Sequence, residues 1–166
     1  MNAQASTQDF PPQERHALSA ADDSLLLATF RLGEAAFGID AQLVQEVVLV
    51  GDITRVHRTP SHVIGIRNLR GRIVTVADLA VLLELGGVKA GPDNRLLIME
   101  WQNEPIGFLV DAVTEAVVTR AAEITAPPAN LPEVQRRNLR GIYQDGEWLV
   151  GVLEPEALFR SENMAD

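Results

Sequence analysis

The chain has 166 residues and a formal net charge of −9; 46% of its residues are hydrophobic but only 5% aromatic. That length holds one domain, or two small subdomains sharing a core, and the composition calls for a core of Val, Leu, Ile and Ala. The absence of cysteine excludes disulfides, thiolate metal sites and cysteine nucleophiles and fits a reducing compartment, while the acidity argues against nucleic-acid backbones and anionic membrane surfaces.

Residues 1–23 are polar, aperiodic and interrupted by Pro11-Pro12, so they read as a flexible N-terminal tail with nothing resembling a signal peptide. No apolar run reaches the ~20 residues that span a bilayer, and a soluble, cytoplasmic protein is expected. Ser24 to Leu32 predicts the first strand, Gly33-Glu34 a turn, and Ala35 to Ile39 the returning strand. Asp40-Ala41-Gln42 suits a helical turn capped by Asp40, and Leu43 to Val50 a long strand carrying Glu46, broken by Gly51-Asp52. After Thr59-Pro60, the runs Val63 to Ile66 and Ile73 to Ala77 flank Asn68-Leu69-Arg70-Gly71. They predict a β-hairpin whose turn holds Asn68, closes on Gly71 and lifts Arg70 away from the sheet. There its planar fork is available to a carboxylate or a partner's backbone. Asp78 then caps a short helix running toward Leu85.

Gly86-Gly87 and Gly91-Pro92 mark a connector. Arg95 to Trp101 and Ile106 to Val110 predict strands around a turn at Asn103-Glu104-Pro105, followed by a strand from Val113 to Thr119. The prolines at 127, 128 and 132 predict a loop. Leu139 to Tyr143 and Trp148 to Val152 flank Asp145-Gly146, a strong hairpin signal, and Pro155 opens a terminal helix.

The two halves resemble each other. Gly38, Val44 and Glu46 recur 69 residues later as Gly107, Val113 and Glu115, and the hairpin-plus-helix after Gly65 parallels the one after Gly141. A duplicated small barrel accounts for both correspondences. Asn138-Leu139-Arg140-Gly141 repeats the letters of 68–71 while entering a strand instead of a turn, so Gly141 aligns with Gly65 and the second tetrapeptide is a decoy. Charge is uneven: residues 53–77 carry Arg55, Arg58, Arg67, Arg70 and Arg72 with no acid, and residues 99–123 carry five acids against Arg120. Read as sequence, this gives either one positive and one negative face suited to head-to-tail association, or two solvated strand faces.

No catalytic constellation is visible. Adjacent side chains of Ser61 and His62 diverge; His16, His57 and His62 have no metal spacing; the glycines sit at turns and form no phosphate loop. No enzyme activity, cofactor or metal is expected.

Phe37-Gly38-Ile39-Asp40, Val44-Gln45-Glu46-Val47, Thr59-Pro60, Ile64-Gly65-Ile66-Arg67-Asn68-Leu69-Arg70-Gly71, Asp78-Leu79 and Gly107 to Val113 together resemble the CheW-like family of bacterial chemosensory coupling proteins, over roughly residues 25–160. The resemblance implies an all-β fold with short helices: two packed five-stranded SH3-like β-barrels, at about 24–86 and 94–160, with terminal elements free to cross over. It implies a non-catalytic adaptor at receptor arrays on the inner face of the membrane. The partners would be the regulatory domain of a CheA-type histidine kinase and the cytoplasmic tips of chemoreceptors (methyl-accepting chemotaxis proteins), with possible rings of CheW-like domains. The alternative is a module of another chemosensory pathway (pilus motility or development), or a peptide-binding barrel outside chemosensing. By position, Glu46 and Arg70 match an acid and an arginine of the family's interaction surface. Val44, Gly65 and Val113 match positions by its receptor groove, and Asn68 and Leu69 complete the expected partner-binding set. Taken as residues alone, Val44 and Val113 suit core packing equally well, and Gly65 suits strand geometry. Arg67 stands where relatives often carry an uncharged residue and is expected to alter partner choice.

Overall fold

A computed structural model describes residues 23–160; the tail expected over 1–23 thus lies, but for Asp23, outside the described residues. The described residues form eleven strands: β1 (Ser24–Leu32), β2 (Ala35–Asp40), β3 (Glu46–Leu49), β4 (Thr54–Arg55), β5 (Val63–Leu69), β6 (Arg72–Asp78), β7 (Arg95–Trp101), β8 (Glu104–Val110), β9 (Ala112–Arg120), β10 (Leu139–Asp145) and β11 (Trp148–Leu153). Among them, short α-helices follow β6, precede β10 and follow β11: α1 (Leu79–Leu82), α2 (Glu133–Asn138) and α3 (Pro155–Leu158).

The strands make two sheets, ordered β10-β11-β2-β1-β9 and β3-β7-β8-β6-β5-β4. Each curls into a small barrel because one chain path reaches both of its edges. In the second sheet β3 and β4 occupy opposite edges, yet only residues 50–53 join them. In the first, the chain leaving β9 reaches the β10 edge at Thr125, which exchanges hydrogen bonds of 2.9 and 2.8 Å with Ile142. Counting β3–β4 as one bent strand, each barrel has five.

Sheet membership departs from a division at the 83–94 connector. The β1–β2 hairpin joins β9–β11, and β7–β8 joins β3–β6. Each barrel therefore takes two strands from one repeat and the rest from the other. The cause lies in the edges: β2 pairs in parallel with β11, and β8 in parallel with β6, so each repeat's leading hairpin closes the other repeat's barrel. The repeat itself is visible in register. Gly38 lies opposite Thr29 and Val152, and Gly107 opposite Ile98 and Val76. Gly65 and Gly141 each follow a bulge, and a Cβ on either would come within 2.1 Å of the Thr54 carbonyl oxygen or 2.3 Å of the Thr125 carbonyl oxygen. Gly141 thus occupies the place of Gly65, as the decoy reading of 138–141 requires.

The main core lies between the barrels. Phe30, Phe37 and Ile39 from one sheet meet Leu97, Met99 and Phe108 from the other, with Leu83, Leu158 and Phe159 across the ends. Phe159 stacks on Trp101 at 5.0 Å and tilts against Phe108 at 5.7 Å, the aromatic geometry that adds to area burial. A second cluster of Val74, Val76, Leu96, Ile98 and Leu109 fills the six-stranded barrel. Local departures from expectation follow from backbone chemistry. Leu43 ends a 3-10 turn (Ala41–Leu43) capped by the Asp40 side chain at 3.0 Å, so the strand starts only at Glu46. The helix after Asp78 stops at Leu82 because Glu84 and Gly86 take positive φ of 59° and 102°. Helix α2 begins directly after the expected proline loop, with Pro132 as its N-cap. Among the described residues no helix is long and apolar enough to cross a membrane.

Candidate partner-docking site

The β5–β6 hairpin closes with a two-residue loop, Arg70 and Gly71, at φ of 52° and 88°. Positive φ at both central positions is the type I′ turn, so Arg70, and not Asn68, takes the left-handed conformation. Asn68 instead stays in β5 and uses its side chain: Oδ1 accepts the Gly71 N–H at 2.9 Å, tying the loop down. The geometry lifts Arg70 toward β3, where its guanidinium pairs with the Glu46 carboxylate. The Arg70 side chain remains 66% exposed and that of Glu46 36%.

Arg67 has a structural task that sequence reasoning missed. Its guanidinium donates to the Leu49 carbonyl at the edge of β3 and lies against Gly51, where a Cβ would come within 2.9 Å of it. Arg67 and Arg70 thus both bind the hairpin to β3. Arg72 reaches Glu100 of β7 at 3.2 Å. Two of the five arginines in 53–77 are therefore matched by acids of the same barrel, one from the 99–123 block. Glu100 and Glu104 share the six-stranded sheet with these arginines, while Glu115 lies on β9 of the other sheet, so the two blocks do not form one positive and one negative half.

The remaining expected residues are scattered around this pair. Leu69 is half-buried against the core of the six-stranded barrel, on the opposite pleat from Asn68. Gly65 sits on β5, five residues from Arg70, or ~17 Å along a strand. It is wedged between β6 and β4, with Val76 and Arg55 as its partners. Val44 and Val113 are half-buried and pack on the inter-barrel core; Val113 belongs to β9 of the five-stranded barrel, opposite Phe30.

Where the barrels meet, a groove of about 310 Å³ opens between β1, β7, β11 and α3. Leu25, Leu43, Met99 and Phe159 give it apolar walls, and Asp40, Glu100, Glu154 and Glu156 line it with acid against the one cation of Arg140. Leu43, the neighbour of Val44, is the residue that lines it. Leu43, expected to open the strand running to Val50, instead closes the 3-10 turn that follows Asp40, and this places it in the groove. Among the described residues no three His, Asp or Glu side chains gather as metal ligands.

With this geometry in hand, comparisons with known proteins are informative. The family model of the CheW-like domain matches residues 27–163. A chemotaxis protein CheW of Klebsiella aerogenes is 31% identical over 136 residues, covering 82% of either chain. One from Treponema pallidum is 26% identical, covering 86% of either. The crystal structure of the scaffolding protein TtCheW from Thermoanaerobacter tengcongensis superposes with a TM-score of 0.76 at 29% identity, covering 84% of this chain and 90% of that one.

Proposed function

The chain belongs to the CheW-like family, and from that premise we propose that it is a cytoplasmic, non-catalytic adaptor coupling chemoreceptors to a CheA-type histidine kinase. The observation that carries this reading is the Arg70–Glu46 pair. An exposed ion pair contributes only ~0–1 kcal/mol to folding, so its worth is positional. Glu46 holds the guanidinium in one orientation while leaving most of it exposed, a donor fork offered to a partner. The kinase's regulatory domain, itself CheW-like, would meet this hairpin barrel to barrel, and rings of such modules follow from the same heterologous contact.

The groove between the barrels supports the receptor half of the proposal. Apolar walls with a polar rim suit the apolar stripe of a helical hairpin, which is what a receptor tip presents. Its acid would select helices with basic flanks.

A pull-down with a CheA-type kinase and a receptor-tip fragment tests both halves. Arg70→Ala is expected to lower kinase capture at least ~10-fold with an unchanged circular dichroism spectrum. Leu43→Glu is expected to lower receptor capture and spare kinase capture. Variants that couple like wild type would refute the site assignment.

A further inference from the structure

The two barrels share strand order but not their filling, and the difference leaves a cavity in one of them. In the six-stranded barrel Ile98, opposite Gly107, packs with Val48 and Leu69 as solid core. The matching positions of the five-stranded barrel are Thr29, opposite Gly38, with Val117 and Asp145: Leu27↔Val117 mirrors Leu96↔Val48, and Asp145↔Trp148 mirrors Leu69↔Arg72. Replacing a branched aliphatic by threonine and a leucine by aspartate empties the mouth. A cavity of about 240 Å³ results, lined by Thr29, Val117, Val150 and the indole of Trp148.

The lining has a definite chemistry. The Thr29 hydroxyl is engaged by Thr114 Oγ1 at 2.6 Å and by the Glu115 carbonyl, so the floor is satisfied internally. Glu34, Glu115 and Asp145 stand at the rim against Arg31 alone, three negative charges to one positive. None of the four belongs to either ion pair found among the described residues, Arg70–Glu46 and Arg72–Glu100. Trp148, 64% exposed, adds an aromatic face to the same opening. At ~30 Å³ per water the space holds about eight waters. That is below the ~300 Å³ at which drug-sized sites begin, and is the size of one long side chain.

We infer that this mouth is a binding site for an organic cation on a short apolar stem, an alkylguanidinium or alkylammonium group. The stem lies along Val117 and Val150, the charge meets the acids, and the indole offers its face. The site is on the barrel remote from Arg70 and stands independently of the adaptor reading.

Titration of the full chain with agmatine, followed by amide and indole N–H resonances, tests the inference. Agmatine is expected to bind in the millimolar range, shifting the Trp148 indole and the amides of Thr29 and Ala36, while glutamate shifts none of them. A doubly blocked Gly-Arg-Gly peptide distinguishes the source: tighter binding than agmatine assigns the site to a side chain of a protein partner, and weaker binding assigns it to a free cation. Thr29→Ile with Asp145→Leu, which restores the filling of the other barrel, is expected to abolish the response. Trp148→Ala, at an exposed position that folding tolerates, is expected to weaken binding about three- to tenfold. Absence of any agmatine response, an equal response to glutamate, or unchanged affinity in Trp148→Ala would overturn the inference.

Discussion

An alanine at position 65 would have to place its Cβ 2.1 Å from the Thr54 carbonyl oxygen and 3.0 Å from the Arg55 Cα. Ordinary contact begins above 3.4 Å, so β4 and β5 must separate by more than 1 Å, and the obstacle is backbone that cannot rotate away. Overpacking typically costs ~1–3 kcal/mol, and with a rigid obstacle the upper end applies. At ~2–4 °C per kcal/mol for a chain of this size, Gly65→Ala should lower Tm by ~6–12 °C. Gly33→Ala is the control: its φ is +64° with nothing within 4 Å, so only the ~1–2 kcal/mol left-handed penalty remains. Thermal and urea unfolding by circular dichroism measure both. Gly141→Ala, facing Thr125 at 2.3 Å, should fall with Gly65→Ala and not with Gly33→Ala. If Gly65→Ala were no less stable than Gly33→Ala, the wedge argument would be refuted. If it also failed to capture a receptor-tip fragment, the glycine would belong to the docking groove after all.

Three further outcomes are expected. Reversing the surface pair with Glu46→Arg and Arg70→Glu together should leave stability within ~1 kcal/mol by urea titration while kinase capture stays low, because no donor fork then stands at the hairpin tip; recovery of capture would refute that role for Arg70. Asp78→Asn should cost ~1–3 kcal/mol by the same assay. The buried carboxylate accepts from Val81 N–H at 3.1 Å and Val88 N–H at 3.0 Å through different oxygens, and an amide can accept through only one; equal stability would discount this double cap. Fragment 1–92 alone should show no cooperative unfolding, because its β1–β2 hairpin lacks β9 and β11, whereas mixing it with fragment 93–166 should recover a sheet spectrum.

Most strands were legible because alternation and turn residues speak locally: Ser24–Leu32 and Arg95–Trp101 coincide with their expected bounds. Turn conformations were less so, since a two-residue loop is set by pairing register. Nothing local says that Arg70, not Asn68, carries the positive φ. The proximity of Glu46 and Arg70 came from family resemblance; the closure through residues 50–53 that produces it is a non-local event. Arg67 read as a partner-facing charge because its acceptor is a main-chain carbonyl on another strand, which leaves no mark in side-chain chemistry.

The core shared by the two barrels bears on how such an adaptor acts. The parallel ladders β2–β11 and β8–β6 each lie within one barrel, so a rotation of one barrel against the other would spare them but would shear the core around Phe30 and Phe108. Packed interiors resist small displacements, so the two barrels move as one body. On the adaptor reading proposed above, a signal would therefore pass through the chain's position between partners and not through an internal hinge. The equivalent hairpin tips differ in conformation and in chemistry: Arg70-Gly71 takes positive φ at both positions on one barrel and Gly146-Glu147 only at Gly146 on the other, an arginine fork on a filled barrel and an acidic rim on an open one.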